Sequence, residues 1–184
     1  MSFLLILGVL ILAAALFIIA NYNDLIKLKT RAQEAWSDID IQLKRRYDLI
    51  PNLVETVKGY AAHEQQTLEK VIAARNAAMS AQGMVEKAKA EGELSQTLKS
   101  IFALSENYPD LKAAVNFKQL QDELVDTENK IQASRRFYNA NVRDLNIKID
   151  IFPASIVASL FNFQKMALFE IANAQERENV SVKF

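Results

Sequence analysis

The feature that most restricts the fold of this chain is an uninterrupted apolar run at its N-terminus. Residues 3–20 contain no charged and no strongly polar side chain. At about 1.5 Å per residue, a helix of this length roughly matches the hydrocarbon thickness of a bilayer. Its many leucine, isoleucine, valine and phenylalanine side chains each favour insertion. We therefore predict a transmembrane anchor over residues 1–22 and a separate domain over residues 23–184.

Two other interpretations of this run are disfavoured. A cleaved signal peptide has a basic segment before the apolar stretch and a small-x-small cleavage site after it; neither pattern is present. A core helix of a soluble protein keeps a polar face, which residues 3–20 lack. The sequence favours a helix that stays in the protein and crosses the membrane once.

The charges that flank the run predict its orientation. Only Met1 and Ser2 precede it, whereas six basic residues follow it: Lys27, Lys29, Arg31, Lys44, Arg45 and Arg46. Basic residues flanking a span tend to stay on the cytoplasmic side. We expect the N-terminus to face out and the domain to lie in the cytoplasm, at the cytoplasmic (inner) membrane.

Composition and periodicity predict an all-α fold. The 184 residues include only four glycines and three prolines, and long helices tolerate such scarcity. Beyond the anchor, apolar residues recur every three or four positions, with an 11-residue repeat visible as Leu25, Trp36 and Tyr47. This period is typical of a straight or slightly right-handed helix. We expect the membrane helix to continue directly into this segment.

Proline and glycine positions predict where this helix is interrupted. Pro51 lacks an amide donor and clashes with the preceding turn, so we expect a kink or break just before it and a second helical stretch to about residue 80. Gly83 and Gly92 predict a loop or frayed turn. Trp36 is expected to fill the core beneath the kink, with a partner contact as the alternative.

The most regular segment lies further along the chain. Five apolar positions fall seven apart: Phe117, Leu124, Ile131, Tyr138 and Leu145. A heptad seam of this kind packs against a neighbouring helix. Pro153 should end the segment, and residues 154–171 continue as a stretch that is apolar around most of its circumference. The predicted fold is an N-terminal transmembrane helix continuing into a long antiparallel helical bundle, with a tail at 179–184 that is extended or disordered.

The groups that carry catalysis or metal binding are missing or isolated. The absence of cysteine excludes disulfides and thiol chemistry, and the single histidine, His63, has no second His or Cys with which to share a metal. No phosphate-binding loop or nucleophile elbow is found. The zero net charge provides no global field for nucleic acid. We predict no catalytic, cofactor-binding or metal-binding residues, no enzyme and no nucleic-acid partner.

Two polar clusters permit more than one interpretation. The cluster Lys44-Arg45-Arg46 could contact anionic headgroups if the helix folds back. It lies well beyond a Debye length from the span, so a solvated face, or pairing with acids such as Asp40 and Glu128, is favoured. The second cluster comprises Asn139, Asn141, Arg143, Asp144 and Asn146. It predicts an exposed face, with a buried register device or a docking patch as the alternative.

Several motifs resemble the LemA family. They include Arg31-Ala32-Gln33-Glu34-Ala35-Trp36-Ser37-Asp38-Ile39-Asp40, Asp48-Leu49-Ile50-Pro51-Asn52-Leu53-Val54, Gly59-Tyr60-Ala61, Glu106-Asn107-Tyr108-Pro109-Asp110-Leu111, Arg135-Arg136 and Phe152-Pro153. The resemblance spans almost the whole chain, in order, with the anchor where the family has it. It implies an anchored bacterial helical-bundle protein with no established active site to transfer.

These features predict a non-enzymatic, membrane-anchored scaffold or adaptor. Its expected partners are the lipid bilayer, further copies of itself in a homo-oligomer, and an unidentified membrane or cytoplasmic protein. Residues 154–171 offer more apolar surface than one bundle face needs. The alternative is a membrane-remodelling or lipid-organising protein in which this segment dips into the bilayer surface.

Overall fold

The computed structural model describes residues 2–170, which form six helices. They are α1 (Ser2–Tyr60), α2 (Gln65–Ser80), α3 (Met84–Ser105), α4 (Pro109–Ala113), α5 (Val115–Asp150) and α6 (Ala154–Leu160). Within this range no residue belongs to a strand. The predicted all-α fold is confirmed, including the long apolar N-terminal helix that continues into a helical bundle. The predicted tail at 179–184 lies outside the described residues.

The described chain divides into two compact units. Unit 1 contains residues 2–39 and 134–168, and unit 2 contains residues 40–133 and 169–170. Both α1 and α5 therefore contribute residues to each unit. The boundary predicted at residue 23 separates the membrane anchor from the rest of the chain. It is not a boundary between compact units, and it stays a prediction.

Unit 1 is built on an antiparallel pairing of α1 with the end of α5. Leu25 and Leu145 lie in one buried cluster, and the Trp36 ring meets the Tyr138 ring edge-on at a centroid distance of 5.6 Å. Position increases along α1 as it decreases along α5, so the helices run in opposite directions. Tyr138 and Leu145 are buried, as the heptad predicts.

Unit 2 has its own apolar core. Its fully or almost fully buried side chains include Leu43, Ile50, Leu53, Val57, Val71, Leu94, Ile101, Leu111, Phe117, Leu124 and Ile131. The last three are heptad positions of α5, so the seam is buried at each predicted position. Helices α2 and α3 are joined by residues 81–83, where Gly83 has a φ of +80° that an L side chain rarely adopts.

The break predicted just before Pro51 is wrong, because α1 continues through this residue to Tyr60. The alternative of a kink within a continuous helix stays a prediction. Without an amide hydrogen, Pro51 leaves the carbonyl of Tyr47, four residues earlier, without its helical donor. Arg75 on α2 supplies one instead, from Nε to the Tyr47 oxygen at 2.7 Å. The interruption falls at residues 61–64, before α2 begins.

Two related predictions are also corrected. Trp36 is half-buried in unit 1, whereas Pro51 belongs to unit 2, so Trp36 fills no core beneath a kink. Gly92 is not part of a loop but a buried residue within α3, and only Gly83 marks a helix end. The possibility that Trp36 contacts a partner protein stays a prediction.

The apolar segment after Pro153 is helical only in part. Helix α6 ends at Leu160, and Asn162 adopts a φ of 53°. Residues 163–170 have no regular secondary structure. Polar side chains of α5 satisfy part of this backbone: the Asn146 amide accepts from the Met166 nitrogen and donates to the Met166 oxygen, both at 2.9 Å. Side-chain bonds thus replace helical ones here.

Candidate functional site

The most unusual feature of unit 2 is a buried arginine. Arg46 lies three residues after Leu43 and four before Ile50, so the helical period of α1 directs it into the core. Only 1% of its surface is exposed. A charge at such a position is stable only when it is paired and hydrogen-bonded.

Arg46 is paired with two carboxylates from different helices. Its guanidinium contacts Glu91 of α3, which is also buried, and Glu128 of α5, whose side chain is partly exposed. Its Nη1 also donates to the Ser95 hydroxyl at 3.1 Å. The cluster therefore ties α1, α3 and α5 together inside unit 2.

Tyr47 completes this cluster from the neighbouring position on α1. Its hydroxyl donates to the second oxygen of Glu91, and Lys87 lies over its ring at 5.5 Å from the centroid. Burial, together with the hydrogen bond to Glu91 and the negative charge of that carboxylate, raises the pKa of Tyr47 above its ordinary value. The phenol stays protonated and remains a donor.

The chemistry available in this cluster is structural. Glu91 accepts from both Arg46 and Tyr47, so its carboxylate is engaged on both oxygens. Among residues 2–170, no group of three His, Cys, Asp or Glu side chains is arranged to hold a metal. A buried ion pair of this kind favours one arrangement of helices over others, because any other register leaves its charges unpaired.

The two favoured interpretations of the basic cluster Lys44-Arg45-Arg46, a solvated face and pairing with acids, apply to different residues. Lys44 and Arg45 are exposed, and Arg45 makes only a long contact of 3.7 Å with Glu123. Pairing with Glu128 is confirmed for Arg46, whereas a solvated face is wrong for it. Sequence reasoning missed Glu91, although this residue lies on the same α3 stripe as Leu94 and Leu98.

The second polar cluster, which lies within residues 139–146 of α5, contains residues with different roles. Arg143 and Asp144 are exposed, as the first interpretation predicts. Asn141 donates to its own helix at the Phe137 oxygen. Asn146 instead forms hydrogen bonds with the backbone of Met166, as described above. It therefore makes an internal contact of unit 1. His63 is exposed in the turn between α1 and α2.

An apolar groove lies between the end of α1 and α2 in unit 2. It has a volume of about 560 Å³ and is lined by Val54, Glu55, Lys58, Ala62, Gln65, Leu68, Glu69, Ile72, Ala73 and Asn76. Aliphatic side chains are thus accompanied by charged and amide groups. Such a surface can accept the apolar face of a helix while the polar groups select its register.

Among residues 2–170, the N-terminal part of α1 presents an apolar surface that is largely exposed. Apart from Ile18, which packs against a buried cluster of unit 1, the large side chains in residues 3–19 are between 40% exposed, at Phe17, and 74% exposed, at Phe3. Within the described residues, α1 is the one helix long and apolar enough to cross a membrane. Apolar exposure on this scale is characteristic of a surface that contacts lipid or protein.

Comparison with known proteins identifies the family. The LemA family model matches residues 35–184, and the chain belongs to the LemA family. It is 31% identical to Protein LemA of Metamycoplasma hominis, over 89% of this chain and 74% of that protein. It is 24% identical to the magnetosome protein MamQ of Magnetospirillum gryphiswaldense, over 90% of this chain and 71% of that protein. These names denote no enzymatic activity, and with the apolar helix they suggest membrane association.

Proposed function

We propose that this protein is a non-enzymatic helical scaffold or adaptor, anchored in the membrane by α1 and self-associating through its helical domain. The main observation that supports the proposal is the packing of the end of the apolar run against unit 1. Ile18, within the run, and Tyr22, just after it, pack against the cluster that contains Leu25 and Leu145. Cleavage after the run would remove part of this packing, which supports a permanent anchor.

The orientation follows from the flanking charges. By the positive-inside rule we expect the N-terminus to face outside and the part of the chain after the span, residues 23–184, to lie in the cytoplasm of a bacterial cell. A cysteine at an exposed position such as Ala113 tests this, because the chain has no native cysteine. We expect it to resist a membrane-impermeant maleimide in intact spheroplasts and to react after lysis. Labelling before lysis would show that the orientation is the opposite one.

The groove in unit 2 supports docking of a second helix. Its floor includes the aliphatic side chains of Val54, Leu68 and Ile72, and its charged groups include Glu55 and Lys58. An amphipathic helix seated there would cover the floor and meet the charges at its edges. We assign this site to another copy of the chain, which makes the scaffold a homo-oligomer.

Site-specific crosslinking tests the assignment. Ala73 lines the groove, and Ala113 is an exposed alanine on α4 that does not line it. A short bifunctional maleimide should link two copies of the A73C variant in membranes and should link few copies of the A113C variant. Equal yields at both positions, or none at either, would remove the groove as the site of self-association.

A further inference from the structure

Helix α6 lies within an uncharged and largely exposed segment, residues 151–163. From residue 151 to residue 163 no side chain carries a charge. Five of its large apolar side chains are between 46% and 80% exposed: Ile151, Phe152, Ile156, Leu160 and Phe161. The opposite side of α6 is buried in unit 1, through Val157 and Ala158. In the part of the chain that the structure describes, the helix therefore has one face in the protein core and a second, apolar face that is largely exposed.

This segment lies beside the end of the apolar run of α1. The Tyr22 ring is 4.8 Å from the Phe161 ring and 5.8 Å from the Phe163 ring, centroid to centroid. Ile18, within the run, packs against the cluster that contains Val157. Helix α6 is thus level with the last turn of the predicted span.

The nearest charges are paired with one another. Asp24 is the first charged residue after the run, and its carboxylate is 2.8 Å from Lys148. Asp150 and Lys165 bracket the α6 segment, and their charged atoms are also 2.8 Å apart. The exposed face of α6 therefore meets the end of the α1 run through the contact of Phe161 with Tyr22, and the charges nearest in sequence are paired.

We propose that the exposed face of α6 is a second lipid contact, lying in the interface of the same membrane leaflet from which α1 emerges. The proposal rests on the membrane anchoring proposed above and adds to it a second site, which the lipid-organising alternative requires. Lipid is the occupant that the surface favours, because the face is continuous with a run that lipid covers. The aromatic rings of Tyr22, Phe161 and Phe163 lie where membrane proteins concentrate aromatic side chains.

Tryptophan quenching by brominated lipid tests this contact in the full-length chain. Trp36 is the only tryptophan, so the W36F variant provides a silent background. Single tryptophans are then introduced by F161W and I156W on the α6 face, by L10W within the span, and by F137W as a control. Phe137 is 58% exposed and adjoins Tyr138, which pairs with Trp36 about 24 Å along α1 beyond the run.

Each variant is reconstituted into phosphatidylcholine vesicles with plain acyl chains, with chains brominated near the glycerol, or with chains brominated near their methyl ends. An interfacial helix buries its apolar face about 5–10 Å below the headgroups, so we expect bromination to lower F161W and I156W emission by roughly twofold. L10W, near the centre of the span, should be quenched by the bromines near the methyl ends, and F137W should be quenched by neither lipid. Quenching of L10W without quenching of F161W or I156W would overturn the second contact and leave the anchor intact.

The remaining outcomes are also decisive. If L10W is not quenched, the proposed membrane anchor is contradicted. The proposed α6 contact is then contradicted as well, because it depends on the anchor. If L10W alone is quenched and an F161C variant forms disulfide-linked pairs in membranes, a second copy of the chain covers this face instead of lipid. Equal quenching of F137W and F161W would overturn the proposal, because it would show contact unrelated to α6.

Discussion

The side chain of Arg75 donates a hydrogen bond from Nε to the carbonyl oxygen of Tyr47 at 2.7 Å. This oxygen is the acceptor that Pro51 leaves without a helical donor, since proline has no amide hydrogen. One residue of α2 thus allows α1 to remain helical through a proline. The bond also couples two helices of unit 2.

This relationship predicts a specific coupling between Arg75 and Pro51. Replacing Arg75 with Met should lower the free energy of unfolding by about 1–3 kcal/mol, because a buried carbonyl loses its partner. In a P51A background the alanine amide can donate to the same carbonyl, so the R75M substitution should cost clearly less. Urea denaturation of the four chains in mild detergent measures the difference. An equal cost in both backgrounds would show that Arg75 acts independently of the proline.

The buried ion pair predicts unequal effects at two adjacent arginines. The R46M substitution leaves Glu91 charged and buried, and should lower the free energy of unfolding by about 3–5 kcal/mol. The R45M substitution removes only a largely exposed contact and should cost less than about 1 kcal/mol. Substituting Leu for Glu91 in the R46M chain should recover part of the loss. Equal costs for R45M and R46M would contradict the buried pairing.

Tyr47 predicts how stability depends on alkaline pH. Its pKa in the folded protein is raised above the ordinary value of 10.0, by burial first and then by Glu91. As the pH rises through about 10, the unfolded chain releases this proton first, so the free energy of unfolding is unaffected below that pH and falls above it. The Y47F variant should show a shallower fall. Denaturation curves at several pH values on either side of 10 give both slopes, and identical slopes would exclude this role for Tyr47.

The pKa values of two other tyrosines are also raised, so part of the fall in stability should remain in Y47F. Tyr108 is held protonated mainly by its hydrogen bond to Glu64, and Tyr138 by burial. The Y47F variant therefore isolates one contribution among several.

Asn146 predicts how firmly the segment after α6 is held. The N146A substitution removes both hydrogen bonds to Met166, and two such bonds correspond to roughly a tenfold change in local opening. Trypsin cleavage after Lys165, which is exposed, should accelerate by about that factor. The N141A variant is the matched control, because Asn141 bonds only within its own helix. Similar cleavage rates for the two variants would show that Asn146 does not restrain the segment.

Periodic patterns in the sequence predict much of this fold. The heptad from Phe117 to Leu145 identifies the buried face of α5 at all five positions, because burial of a helix stripe depends only on spacing. Continuity of the apolar run with the following helix is also evident, because no helix-breaking residue separates them.

Features that depend on distant partners are not predicted in the same way. The donor that replaces the missing amide of Pro51 comes from Arg75, 24 positions away, and no local rule contains that residue. Arg46 is identifiable from its place between Leu43 and Ile50, but Glu91 as its partner requires the α3 stripe as well. The end of α6 at Leu160 depends on α5 side chains that satisfy the following backbone.

The mass of the full-length protein in nanodiscs or mild detergent, measured by light scattering with the detergent contribution subtracted, tests the proposed scaffold most directly. One chain has a mass of 20.8 kDa. We expect a discrete multiple of this mass that persists on dilution and is reduced by charged substitutions in the groove between α1 and α2. A single 20.8 kDa species at every concentration would contradict self-association.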